Sequence, residues 1–195
     1  NDEIQNSFSA KDTINANEQA IFPGFIDAHC HFYRMGLQQQ KVSLEGTKSY
    51  QEVLDKLVAF QKDKNVQFIT GRGWDQNDWE IKEFPTKEKL DALFPNIPVA
   101  IGRVDGHALL VNQAAIDLSG ITKDTKVSGG EIILKNGEIT GVLIDAAMDF
   151  IKIPEPSKQE AVQGLLDAQK ICFSYGLTTV DDAGLDRNTI ELIDE

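Results

Sequence analysis

Over residues 1–20 polar positions dominate, and the pattern predicts no more than a short strand. The next segment changes character. Pro23-Gly24 is a turn signal, and the apolar run beginning at Phe25-Ile26 and leading to Ala28-His29-Cys30-His31-Phe32 reads as entry into a buried strand. Ser49 with Glu52 forms a capping-box pattern, and Val53, Leu54, Leu57 and Val58 supply the helical stripe behind it. Gln67 to Thr70 reads as a strand that Gly71-Arg72-Gly73 interrupts as a turn. Thr86 is placed to cap a short helix ending near Phe94-Pro95, Val99 to Val104 is a second apolar strand, and Asn112 opens a helix that stops before Gly120.

The strongest local pattern is Glu131 to Lys135, Asn136-Gly137, then Glu138 to Leu143, in which Asn-Gly between two strand-like runs predicts a tight hairpin. Ser157 with Glu160 opens a long helix through Ala161, Leu165, Ala168 and Cys172, and Gly176 is its natural stop. Leu177 to Val180 is a strand, and Asp186 or Asn188 starts a helix that runs to Glu195, an unusual way for a finished domain to close. Two strands, each followed by a helix, with a large excursion between them, suit a parallel α/β architecture. Only two such units are present, where a closed barrel needs eight, so the pattern points to part of something larger.

Composition narrows the classes. The 195 residues are 41% hydrophobic and 26% charged, the profile of a globular chain with a core. A net charge of −12 repels phosphate backbones, so no nucleic-acid partner is expected. No apolar run approaches the ~20 residues of a membrane helix, and no signal peptide is visible, so no membrane partner is expected. The compartment is left open, with the cytoplasm as default. Two distant cysteines, Cys30 and Cys172, exclude a disulfide framework.

Candidate chemistry centres on His29 and His31. On a strand, residues i and i+2 share a face, so two imidazoles stand side by side, with Asp27 one step deeper. Two neutral nitrogens at that spacing can bind one divalent ion at ~2 Å each. Cys30 faces the other way. The pair falls at the C-terminal end of its strand, where parallel barrels carry their active sites.

The segment Pro23-Gly24-Phe25-Ile26-Asp27-Ala28-His29-Cys30-His31 resembles the first barrel strand of the amidohydrolase superfamily. Four further segments narrow the resemblance to the amidohydrolase 3 family, the YtcJ-like enzymes: Gly71-Arg72-Gly73-Trp74-Asp75, Phe84-Pro85-Thr86, Arg103-Val104-Asp105-Gly106-His107-Ala108, and Gly176 through Gly184. The resemblance covers roughly residues 20–187. It implies a partial (β/α)8 TIM-barrel metal-dependent hydrolase with a large mixed α+β insert between barrel strands 1 and 2. The expected organisation is a β-sandwich remnant over 1–20, barrel strand 1 and the following segment over 21–44, the inserted subdomain over 45–155, and a helix, barrel strand 2 and the start of the next helix over 156–195.

The resemblance makes His29 and His31 metal ligands. It also implies a later lysine, two more histidines and a catalytic aspartate, none matched before Glu195, so the catalytic residues are expected beyond that point and the chain alone is expected to be inactive. The implied activity is hydrolysis of non-peptide C–N bonds in a small amide-type substrate by metal-activated water, with one or two ions. Zinc leads, and iron and manganese fit the same ligands. A same-fold deaminase or isomerase, and a non-catalytic folding or interaction module, are the alternatives.

Other candidate substrate contacts each carry a plainer reading. His107, with Arg103 and Asp105, either reaches substrate or fixes a turn beside Gly106. Trp74 and Asp75 line a pocket or pack. Asp182 is a site residue or holds a strand end. Surfaces made for absent barrel units predict an exposed apolar patch and self-association into a homo-oligomer.

Overall fold

The computed structural model describes residues 2–195. In chain order the elements are helix α1 (Asp2–Ser7), strand β1 (Phe25–Cys30), α2 (Phe32–Gln38), β2 (Val42–Ser43), α3 (Tyr50–Lys64) and β3 (Ile69–Trp74). Then follow α4 (Glu88–Leu93), β4 (Val99–Arg103), β5 (Ala108–Val111), α5 (Gln113–Ser119), β6 (Gly130–Lys135) and β7 (Glu138–Asp145). The chain ends with α6 (Lys158–Ser174), β8 (Leu177–Asp182) and α7 (Arg187–Asp194). The fold is mixed α/β and divides into two units: the segment up to His31 with Lys170–Glu195, and Phe32–Gln169.

The first unit holds a two-stranded parallel sheet in which β1 pairs with β8. Phe25 N–H donates to the Gly176 carbonyl at 2.8 Å, and Ala183 N–H to the Cys30 carbonyl at 2.9 Å, so the pairing is tied beyond both ends of the ladder. A Cβ on Gly24 would lie 2.0 Å from the Thr178 hydroxyl oxygen, which explains the glycine. The expectation of a buried strand is corrected: Phe25 is 60% and Ile26 68% exposed. Paired with β8 alone among the described residues, β1 has the composition of an interior strand without its burial. The short strand expected within residues 1–20 is also corrected. Asp2–Ser7 is helical, because a lone segment without a pairing partner can satisfy its backbone only locally.

The second unit is built on a six-stranded sheet of order β2-β3-β4-β5-β7-β6, parallel from β2 to β4 and antiparallel thereafter. Alternation along the strands sends side chains to opposite faces. Val99, Ile101, Leu110 and Val142 join one apolar cluster with Trp74, Leu54 and Leu57. Ala100, Val111 and Leu143 join a second with Ile116 and Ile121. Helix α3 begins where the capping pattern predicted: Glu52 N–H donates to Ser49 Oγ at 3.1 Å, while the Glu52 carboxylate reaches back to Lys48 N–H. Its stripe buries Val53, Leu54 and Leu57, whereas Val58 stays outside.

The β6–β7 hairpin turns at Asn136 and Gly137, φ 53° and 81°, the positive angles that the Asn-Gly pair supplies. The Ser157–Glu160 capping box is complete, and Asn112 and Asp186 cap α5 and α7.

Two local expectations are corrected. Gly71-Arg72-Gly73 does not turn but lies inside β3, where a Cβ on Gly71 would meet the Val42 carbonyl at 2.8 Å. The glycines admit β2 alongside rather than reversing the chain. Thr86 does not cap α4; Lys87 occupies that position without a side-chain cap, and the Thr86 hydroxyl bonds Glu88, holding that carboxyl below its ordinary pKa. Among the described residues no helix is long and apolar enough to cross a membrane.

Candidate metal centre and a second histidine site

In the first unit, His29 and His31 flank Cys30 at the end of β1, and both are exposed. Asp27 Oδ1 accepts from the His29 N–H at 3.1 Å, which ties the strand end locally. The imidazole centroids are 5.7 Å apart and the rings nearly perpendicular. A ring bound to a metal at ~2 Å from its nitrogen has its centroid about 3 Å from the ion, so the separation fits two rings on one ion.

His31 Nδ1 lies 2.8 Å from the Ala183 carbonyl oxygen. A carbonyl only accepts, so Nδ1 carries the proton, and Nε2 of the neutral ring keeps its lone pair for a metal. Metal-bound histidines are characteristically oriented in this way. Among the described residues no cluster of three or more His, Cys, Asp or Glu side chains is placed to hold a metal. Asp182 is aligned with Cys30 across the β1–β8 ladder.

The remaining sequence candidates belong to the second unit. Trp74 is fully buried and donates from Nε1 to the Ile101 carbonyl at 2.9 Å, so it packs the core and meets no solvent. Asp75 accepts from Asn77 N–H at 2.9 Å and starts a short 3-10 turn. Arg103 and Asp105 form a bidentate pair, and Arg103 also lies over the Phe84 ring at 5.5 Å. The guanidinium holds Asp105 at about 2, well below its ordinary 3.8, with the His107 N–H assisting.

His107 Nδ1 meets Asp145 Oδ1 at 2.8 Å. Sequence reasoning missed Asp145 and the Ala183 carbonyl. They stand 38 and 152 residues from their partners, and no periodic pattern connects them.

The parallel strand pair β1–β8 presents two neighbouring histidines at its end, one of which, His31, is held through its ring by a backbone carbonyl. The amidohydrolase family matches residues 12–194, and the chain belongs to that family, in its amidohydrolase 3 group. It is 36% identical to the putative amidohydrolase YtcJ of Bacillus subtilis over 172 residues, 85% of this chain and 32% of that protein. It is 36% identical to the protein LONG AFTER FAR-RED 3 of Arabidopsis thaliana over 177 residues, 88% of this chain and 30% of that one. The N-substituted formamide deformylase of Arthrobacter pascens is 29% identical over 194 residues, 93% of this chain and 35% of the enzyme.

Among solved structures, a metal-dependent hydrolase from Pyrococcus furiosus superposes with a TM-score of 0.66 at 23% identity, over 88% of this chain and 34% of its own. One from Pyrococcus horikoshii gives 0.65 at 23% identity, over 88% and 33%. These two likenesses show the fold. The chain spans about a third of the length of the relatives it matches.

Proposed function

We propose that this chain is part of a metal-dependent amidohydrolase that cleaves non-peptide, amide-type C–N bonds, with His29 and His31 as two of its metal ligands. The observation that carries the reading is the pair at the end of β1, rings 5.7 Å apart, with His31 oriented through Nδ1 by the Ala183 carbonyl. On this reading β1 and β8 are the first two strands of a (β/α)8 barrel, and the second unit is an insert between them. The formamide deformylase among the relatives supports a small N-formyl or N-acyl amine as substrate class. The net charge of −12 speaks for a small molecule over a nucleic acid.

A divalent ion, zinc first, would supply Lewis acidity and lower the pKa of water. His31 would hold it through Nε2, and both rings must be neutral to do so. The Ala183 carbonyl fixes the His31 ring and its tautomer, which sharpens the direction of the donated lone pair. Two donors bind weakly, and the chain alone is proposed to be inactive.

Zinc titration of the chain, followed by calorimetry, tests the reading. Weak one-to-one binding that H29A and H31A each abolish is expected; binding that neither substitution changes would overturn it. Assay of the longer protein that contains this chain, with N-formyl amines and cyclic amides, tests the bond type. Turnover lost in H29A is expected, and turnover indifferent to H29A and H31A would remove the histidines from the mechanism.

A further inference from the structure

The second unit fixes an exposed imidazole with unusual care. His107 Nδ1 donates to Asp145 Oδ1 at 2.8 Å, and the Asp145 N–H returns a bond to the His107 carbonyl at 3.2 Å. The His107 N–H donates to Asp105 Oδ1 at 3.0 Å, and Asp105 is itself clamped by Arg103 Nε at 2.9 Å. Arg72 donates to the Val104 carbonyl at 3.0 Å and steadies the same turn. Asp145 adopts φ 48°, the left-handed region that a side chain disfavours.

None of this is returned as burial, because the His107 side chain is 70% exposed. The turn does not need the ring. Asp105 and Arg103 already hold its backbone, and the β5–β7 ladder is paired next door through Ala108 and Ile144. The contact between His107 and Asp145 therefore orients a side chain more than it stabilises a fold. A carboxylate accepts, so Nδ1 carries a proton, and in the neutral ring Nε2 carries the lone pair. Nε2 makes no hydrogen bond to any described residue.

We infer that Asp145 is a positioning residue for His107, and that the pair presents Nε2 as a hydrogen-bond acceptor to a small ligand bearing an N–H donor. The choice of an amide N–H rests on the substrate class proposed above; the positioning does not. Asp145 tunes which nitrogen of the ring is available, and His107 makes the contact.

The test is 15N NMR of the chain labelled at its histidine rings, with N-methylformamide as probe. The neutral His107 ring is expected as the Nδ1–H tautomer, with the probe shifting its Nε2 resonance. D145G removes the carboxylate while relieving the positive φ, so it is expected to stay folded, revert His107 to the Nε2–H tautomer and lose the probe response. D145N keeps both the acceptor oxygen and a tolerance for that φ, and is expected to retain the Nδ1–H tautomer. An Nε2–H tautomer in the unsubstituted chain, or a tautomer unchanged in D145G, would overturn the positioning. An unmoved Nε2 resonance would overturn the ligand. Zinc titration reads His29 and His31 separately, so failure of the metal reading is distinguishable from failure here.

Discussion

The Ala183 backbone serves both sides of β1: its N–H donates to the Cys30 carbonyl at 2.9 Å, and its carbonyl accepts from His31 Nδ1 at 2.8 Å. One residue beyond β8 therefore both extends the strand pairing and selects the nitrogen that His31 offers. Outer partners of this kind are worth about 10–100-fold in metal affinity. Replacing Ala183 with proline deletes the N–H and shifts the carbonyl, and is expected to weaken zinc binding by roughly tenfold in a chelator competition assay. Unchanged affinity would mean that the carbonyl does not orient the ligand.

Asn112 is fully buried and satisfies four backbone groups. Its Oδ1 accepts from Val99 N–H and Ala115 N–H, and its amide donates to the Phe94 and Ile97 carbonyls. N112A takes the partner from four backbone groups, three of them in buried bonds, and a loss of about 3 kcal/mol or more is expected in chemical denaturation. N112D keeps the acceptor but turns a carboxylate oxygen towards two carbonyls, and is expected to be no milder.

Gly36 and Gly164 bring α2 and α6 into backbone contact. A Cβ on Gly36 would lie 2.2 Å from the Gly164 carbonyl oxygen, whereas one on Gly164 would meet the Gly36 carbonyl carbon at 3.1 Å. G36A is expected to cost about 1–3 kcal/mol and G164A less, measured as shifts in melting temperature. The reverse order would contradict the crossing.

Asp105, held at about 2 by Arg103, gives a defined acid signature. A carboxyl with a lowered folded-state pKa contributes stability above its ordinary 3.8, and that contribution disappears as pH falls from about 4 to about 2. The pair is partly exposed, so the effect is small. R103M is expected to flatten this segment of the melting-temperature profile against pH, and an unchanged profile would count against the pair.

Phe22, Phe25, Ile26 and Ile190 of the first unit are all more than half exposed. Exposed apolar surface of this kind favours association. The chain is expected to self-associate with rising concentration in light scattering, and I26K with F25K to reduce it. A monomer at high concentration would sink the expectation.

Much of the fold was legible because its signals are local. The Asn136-Gly137 turn, the Ser157–Glu160 box, the Asn112 cap and the Gly176 stop each close within a few residues, so propensity and capping chemistry suffice. The His-x-His spacing brought the two rings to 5.7 Å from each other, although β1 ends at Cys30 and His31 lies just past it. Where local signals are ambiguous, long-range pairing decided. Gly71-Arg72-Gly73 has turn composition, yet β2 and β4 on either side hold it extended. Tertiary structure also chose the partners of the histidines, because a side-chain bond to Ala183 or Asp145 depends on strands that meet across 152 or 38 residues. Residue types and short spacings dictated which groups could do chemistry; only the pairing of distant strands decided which nitrogen of each ring is left to do it.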